Sequence, residues 1–541
     1  MHPCLRVDEI IRLVACELVE LEANGTVAAL ACCCKSFEEP VLDVLWETQV
    51  ELTLLLECLP EDTWEDAWEE SGKFVSWLMA FTFSAVSNQI RKIFTRTPTE
   101  AEWADLRKYT QRMRSLELDD SEDPAVSDIL LVQQTHTTND PWLPRLKKFH
   151  CERATEEIMP LIPFFLSHKL IEISIFFDEG CPAAVIGSMI TSLPTLCPNL
   201  EYITFSIPYR DSVITDAASE ALLACNRNGL RAFYVGSALT EEAREVVCRL
   251  PNLSELGMTI EGHTLLPAVT IPELNALMID FDDCFDWLQG FREAGLENLE
   301  AVHFDSKCER VGDFLEAFES IARATSAQKT LFSFEFHTTH SWNPNYRLLF
   351  PFTQLETLFI EFDCDRDCFS MVDDDMITDL ARAMPNLQCL RLGDMPCDAS
   401  TGITVKGLAA LAHNCRHLSK LRVHFQADSI AEAATNGETP SYLIDEVTAP
   451  QHDCALTDLE VGGTPVYTKL SKVLKGLLQI FPRLSNIDHD HGIWWTGSGQ
   501  YLKKLKRQKD EAWAVVRLFL LSIDVLPDDR PSDVEGLAVT R

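Results

Sequence analysis

Along most of the chain the hydrophobic positions repeat one pattern, L-x-x-Φ-x-Φ, where Φ is apolar. Clear copies start at Leu253 (LSELGM), Leu274 (LNALMI), Leu299 (LEAVHF), Leu355 (LETLFI), Leu387 (LQCLRL), Leu418 (LSKLRV) and Leu456 (LTDLEV). Weaker copies start at Met113, Leu146, Leu170, Leu200, Leu230, Leu331 and Leu484. That makes about fourteen, spaced 21 to 38 residues apart. Each closes in a period-two alternation, the mark of a strand with one buried face. The gaps suit a helix plus loops rather than a tight turn. In MITDLARAMPNLQCLRL, Ile377, Leu380 and Ala381 form a helical stripe, Pro385 ends it, and the strand starts near Leu387. Pro198, Pro251 and Pro482 take the same place in other copies, where a residue with no N–H to give stops a helix. Self-similarity at this period predicts a repeat architecture.

The ends follow another pattern. In LRVDEIIRLVACELV, Leu5, Ile10, Leu13 and Val14 have helical spacing. Thr26 can cap a second helix, with Val27, Leu30, Ala31 and Cys34 at i, i+3, i+4 and i+7. Pro40 fits the start of a third, carrying Val41, Leu42, Leu45 and Trp46. Three short helices make a small core, so the unit is expected to pack against a partner. The triplet Cys32, Cys33, Cys34 lies on the second helix, where neighbours point about 100° apart and cannot converge on one metal. Core filling is the leading reading, with lipidation or redox sensing as alternatives. Thr97 to Met113 reads as a helix after Pro98, with Trp103, Leu106 and Met113 on one face, shielding the first strand's edge. Tyr501 to Leu521 would shield the last. The expected division is a helical unit over 1–48, a helical linker and cap over 49–112, repeats over 113–492, a C-terminal cap over 493–525 and a disordered tail over 526–541.

Leu5, Glu9 and Ile10, then Cys33-Cys34-Lys35 with Phe37, then Leu45-Trp46, resemble the F-box, although Arg6 follows Leu5 where that family has proline. The repeats resemble irregular leucine-rich repeats, although the family's Asn or Cys after the strand is mostly missing. Together they are similar to the expanded F-box proteins of mushroom-forming fungi. The resemblance implies an α/β fold, with a three-helix F-box-like unit followed by a solenoid of parallel strands on the concave face and helices on the convex face. It implies docking to a Skp adaptor and, through it, a cullin scaffold, with Leu5, Ile10, Cys34, Phe37, Leu45 and Trp46 as the motif residues. Some of these six must instead hold the helices together. An unknown protein substrate would lie on the middle positions of the strands, at Tyr234, Met278, His303, Phe359, Arg391 and Arg422. Tyr and Arg are frequent binding hot spots. The alternative is a repeat scaffold that never meets a ligase.

Composition narrows the field. A formal net charge of -38 argues against a generic nucleic-acid surface. The local basic runs Arg107 to Arg114 and Lys503 to Lys509 read as solvated helix faces or partner contacts. The 19 cysteines are odd in number and irregularly spaced, and no secretory signal opens the chain, which fits reduced thiols in cytosol or nucleus. The uncharged run Phe74 to Ile90 contains Ser, Thr, Asn and Gln and is short for a membrane span, so a buried helix or an insertion is expected. Enzyme signatures are absent: no P-loop, no dinucleotide glycine pattern and no nucleophile elbow. His489 and His491 in DHDHG and the pair Cys364 and Cys368 each lack a second ligand cluster, so no metal or cofactor is expected. Met371 to Met376 lacks the glycine and glutamate of a calcium loop and reads as an acidic helix N-terminus.

Overall fold

In a computed structural model the described residues are 7–21, 23–50, 52–68, 90–118, 142–156, 158–226, 228–261, 271–281, 298–306, 330–338, 346–362, 372–393, 402–436, 454–461 and 470–488. The chain divides into two compact units, Met1–Thr259 and Ile260–Arg541. Each unit is described by itself.

The first unit opens with α1 (Asp8–Glu20), α2 (Asn24–Cys33) and α3 (Lys35–Leu45). They close around Ile11, Ala15, Val27, Ala31, Phe37 and Val41. Two boundaries differ from the sequence reading. Helix α2 starts before Thr26, capped by Ala23 with no side-chain bond. Helix α3 starts at Lys35, because Cys34 is extended (φ -164°) and breaks the chain direction. Pro40 therefore lies inside α3, where it forgoes one ladder bond and buries its ring in return.

Next come β1 (Thr48–Gln49), α4 (Thr53–Glu57), an antiparallel pair β2 (Trp64–Trp68) and β3 (Ile90–Phe94), and α5 (Glu100–Thr110). The apolar run from Phe74 ends in β3 at Ile90; the rest of it lies outside the described residues. Among those residues no helix is long and apolar enough to cross a membrane. Helix α5 begins with a capping box: Glu102 N–H donates to Thr99 Oγ1, and Thr99 N–H donates to Glu102 Oε2 at 2.6 Å. Arg96 pairs with that carboxylate at 2.7 Å and holds it down to about 2, helped by the Thr99 N–H. Trp103, Leu106 and Met113 are buried.

The repeats follow. Strands β4 (Ser115–Leu118), β5 (Lys148–Ala154), β6 (Glu172–Phe177), β7 (Tyr202–Ser206), β8 (Ala232–Ala238) and β9 (Glu255–Ile260) pair in parallel and in chain order, with β1 on the edge beside β4. In the second unit β10 (Ala276–Phe281), β11 (Ala301–Ser306), β12 (Ser333–Thr338), β13 (Thr357–Phe362), β14 (Cys389–Leu392), β15 (Lys420–Arg422), β16 (Asp458–Glu460) and β17 (Asn486–Asp488) do the same. Every copy of the apolar pattern is one strand, from β4 to β17. Each copy's first residue is buried, from Met113 to Leu484. Parallel neighbours need a crossover, commonly a helix. Described crossovers are α6 (Ala183–Leu196), α7 (Ser212–Ala224), α8 (Glu241–Val247), α9 (Asp374–Ala383), α10 (Val405–Asn414), α11 (Ala427–Asn436) and α12 (Leu470–Ile480).

One backbone bond pattern locks the register. Within each unit, the carbonyl just after a repeat's first apolar residue accepts two N–H groups of the next repeat. Ile171 O takes Glu201 N–H at 2.8 Å and Tyr202 N–H at 3.1 Å; Glu356 O takes Gln388 N–H at 2.7 Å and Cys389 N–H at 3.0 Å. An asparagine adds a second tie. Asn199, Asn252 and Asn298, each just before a repeat's leucine, donate to His168 O, Asn228 O and Pro272 O at 2.7, 2.8 and 3.0 Å. The ladder missing after the strands is thus supplied before them. The acidic run from Met371 falls partly outside the described residues, but its end caps helices. Asp373 accepts from Met376 N–H at 2.9 Å, and Asp374 accepts from Thr404 N–H at 2.7 Å and Gly407 N–H at 2.9 Å. A side chain at Gly407 would meet that carboxylate.

Cys32 and Cys33 are exposed, so the triplet does not fill the core as one block; only Cys34 is packed against it. The repeat cysteines are different. Burial pushes the Cys197, Cys248 and Cys415 thiols up to about 12. Nucleophilic attack needs thiolate. Alkylation of the native protein, mapped by peptide mass spectrometry, should modify Cys16, Cys32 and Cys33. Cys197, Cys248 and Cys415 should react only in denaturant; native labelling at those three would contradict this packing.

Candidate functional site

Two surfaces collect the residues singled out by the sequence: the outer side of the three-helix unit and the exposed face of the strands.

Of the six motif residues, Leu5 lies outside the described ones. Phe37 is in the core at 8% exposure, and Leu45 and Cys34 pack against that core. Trp46, also 8% exposed, caps the end of α3 and meets the Tyr109 ring of α5 at 4.9 Å. Phe37 and Trp46 therefore hold the unit together. Ile10 alone of the described five lies open, and it has company that the motif reading passed over. Leu13 is 64% exposed and Leu21 74%, with Val7 and Val14 also open. Val7, Ile10, Val14 and Leu21 recur at helical spacing, Leu13 borders them, and Glu17 is the charged residue among them. Ile11, Ala15 and Leu18 occupy the adjoining, packed side of α1. The signal was in the sequence: α1 is apolar on more of its circumference than one core contact needs.

The unit is fixed to α5 by charge. Asp43 on α3 receives Arg12 from α1 on one oxygen and Arg112, just past α5, on the other. Arg112 also binds Glu39 Oε2 at 2.6 Å and donates from Nε to Lys108 O at 2.9 Å. Burial pulls the Asp43 carboxyl upward, but the two guanidiniums outweigh it and hold it below the usual carboxylate range. A carboxyl lowered on folding adds stability above its ordinary value, and that stability is lost as pH falls through the folded value. Acid, not base, opens this clamp.

On the strands, five of the six proposed contacts share one row. Met278, His303, Glu335, Phe359, Arg391, Arg422 and Glu460 are register partners in sequence from β10 to β16. A parallel row holds Asp280, Asp305, His337 and Glu361. The arginines are engaged. Arg391 pairs with Glu460 at 2.9 Å and lies over the Phe359 ring at 4.7 Å, and Arg422 pairs with Glu361 at 3.2 Å. His303 Nδ1 is 3.0 Å from Glu335, and His337 Nδ1 is 3.2 Å from Asp305. Sequence spacing could not show these partners, because each pair joins different repeats. Among the described residues no group of three or more His, Cys, Asp or Glu side chains could hold a metal ion. His489, His491, Cys364 and Cys368 lie outside them.

Tyr234 stands in the first unit, in the row His150, Ser174, Thr204, Tyr234, Gly257. Its ring lies where a side chain on Gly257 would be, so glycine is required there by close approach. Phe176, two residues along β6 from Ser174, is an exposed aromatic with the His150 ring at 5.6 Å. This face mixes aromatic and hydroxyl side chains with the Lys148–Glu172 ion pair at 2.7 Å.

No family model matches the chain, and no curated protein does. Among solved structures, the leucine-rich-repeat ectodomain of the plant membrane receptor kinase GASSHO1/SCHENGEN3 from Arabidopsis thaliana, in complex with Casparian strip integrity factor 2, is 9% identical over 72% of this chain, with a TM-score of 0.19. The chain spans about half, 54%, of that protein's length. At that similarity no property is carried across.

Replacing Arg112 with alanine strips Asp43 and Glu39 of a largely buried partner, and hydrogen bonds to charged groups contribute roughly 1.5–3 kcal/mol. The variant should lose about 2 kcal/mol in urea melts, with hydrogen exchange rising first in α1 to α3. Gly257→Ala should cost about 1–3 kcal/mol by overpacking and move the Tyr234 ring, read from its aromatic NMR shifts. Unchanged shifts would place that ring elsewhere.

Proposed function

We propose that this protein is the substrate-recruiting subunit of a Skp–cullin–F-box type ubiquitin ligase. The observation that carries the reading is the open apolar stripe of α1, on a three-helix unit clamped by Asp43 and Arg112 to the start of a strand array. Large apolar side chains left in water along one helix mark an interaction surface. The F-box resemblance of the same segment names the partner as the Skp adaptor. The contact set is Val7, Ile10, Leu13, Val14 and Leu21, with Phe37, Leu45 and Trp46 supporting it from within. The strand faces are the substrate side, with Tyr234 in one unit and the row from Met278 to Arg422 in the other.

The mechanism is positional. The chain forms no covalent intermediate; it holds a target beside a ubiquitin-conjugating enzyme that the cullin brings. Holding reacting groups together can lower a barrier without any chemistry on the holder. No metal or cofactor is called for, and the site of action is the cytoplasm or nucleus.

The test is co-purification of the full chain with a Skp adaptor, beside an Ile10→Asp, Leu13→Asp variant. Both side chains already face solvent, so the fold should survive, checked by circular dichroism and melting temperature. Binding by wild type and at least a tenfold loss in the variant is the expected result. A folded wild type that binds no adaptor would sink the ligase reading and leave a repeat scaffold.

A further inference from the structure

Four side chains on β11 and β12 form a square in which imidazole and carboxylate alternate. His303 and Asp305 stand two residues apart on β11, and Glu335 and His337 two residues apart on β12. Register sets His303 beside Glu335 and Asp305 beside His337. Both cross-strand pairs are closed. His303 Nδ1 lies 3.0 Å from Glu335 Oε2, and His337 Nδ1 lies 3.2 Å from Asp305 Oδ1. Neighbouring strands run about 5 Å apart and alternate residues of a strand about 7 Å apart, so each imidazole also has the second carboxylate along its own strand. The four side chains are 32% to 37% exposed, so protons reach them from water.

Among the described residues, β10 and β13 flank this square. Met278 and Asp280 face His303 and Asp305. Phe359 and Glu361 face Glu335 and His337. Arg422 binds Glu361 at 3.2 Å, and Arg391 lies over the Phe359 ring. With both imidazoles neutral, the square holds the two negative charges of Asp305 and Glu335. With both protonated, it is balanced.

We propose that this square is a pH-responsive seam, which ties β11 to β12 more tightly on the acid side of neutrality than on the alkaline side. Imidazole is the side chain whose ordinary charge change falls between pH 5 and 8. A neutral imidazole gives a carboxylate an ordinary hydrogen bond, and an imidazolium gives a charge-assisted one, which is stronger. Protonation thus strengthens both cross-strand bonds. The gain is present at lower pH and lost as the protons leave. The sign is opposite to that of the Asp43 clamp, where acid removes the charge that binds. The proposal does not rest on the ligase reading.

The test is hydrogen–deuterium exchange of the full chain, read by mass spectrometry near pH 6 and near pH 8, with the intrinsic pH dependence of exchange divided out. Pairs as exposed as these contribute little singly, so the two together should lower the protection of β11 and β12 about threefold between the two conditions. A His303→Gln, His337→Gln variant keeps a neutral donor at each place and should show equal protection at both. An Asp305→Asn, Glu335→Gln variant should lose the response as well. A His150→Gln variant changes an imidazole of the first unit, 3.9 Å from Glu152, and should keep it in full. Equal wild-type protection at the two conditions, a reversed sign, or a response that survives the double glutamine change would each overturn the proposal. So would a fall of the same size in α6 and α7, which would make the effect global. If a double variant fails to fold, the wild-type comparison of β11 and β12 with α6 and α7 still decides.

Discussion

Within each unit, neighbouring strands are held in register by a backbone oxygen that accepts twice. The carbonyl after each repeat's first apolar residue takes two N–H groups from the next repeat, as Lys147 O does with Ile171 and Glu172. A shift by one residue would break both bonds and turn the buried set outward. Burial of the leading residue fixes the same point from the core side, as Leu170 and Leu387 show. This double fixing lets β15, β16 and β17 be only three residues long and still pair in order. It also makes the exposed face predictable: once register is set, equivalent positions of successive repeats form rows. Ion pairs such as Arg391 with Glu460 are consequences of that geometry, 69 residues apart in sequence.

What could be read in advance follows from the same constraint. The strands β4 to β17 were legible because each joins a buried leading residue to a period-two alternation, and both are local. The two-residue β1 was not. Thr48 and Gln49 carry no apolar alternation, and the strand forms because Glu47 O accepts Arg114 and Ser115 in the next repeat's geometry. The start of α3 was misplaced because Pro40 is a common first-turn residue, whereas the real break is the extended Cys34. The asparagine ties lie just before the leucines, after proline at Asn199 and Asn252 and after Glu297 at Asn298, and their acceptors are carbonyls of the preceding repeat. Of the site, the row of middle positions was legible and its chemistry was not. Whether an arginine is open or neutralised depends on a carboxylate one or two repeats away.

Motif residues are an uneven guide to a surface for a related reason. The motif residues of the three helices serve largely internal needs. Phe37 and Trp46 are spent on the core and on Tyr109. The exposed stripe of α1 is described by periodicity rather than by any single residue. The Arg12–Asp43–Arg112 clamp joins that unit to α5 without using the stripe, so the apolar residues stay in water while the helices are held. The clamp and the stripe are on different sides of α1.

Burial and pairing set the state of the reactive groups in the repeats. Chemistry at neutral pH needs a group poised to give or take a proton, or a thiolate ready to attack. The buried repeat thiols of Cys197, Cys248 and Cys415 are pushed away from reactivity by their surroundings. The arginines and carboxylates of β13–β16 neutralise one another, so that end is fixed in charge and shape. Arg391 pairs with Glu460 and Arg422 with Glu361, each across repeats, so position along the strands decides which charge meets which. Register makes this possible, because a row keeps each charge at a fixed distance from the next.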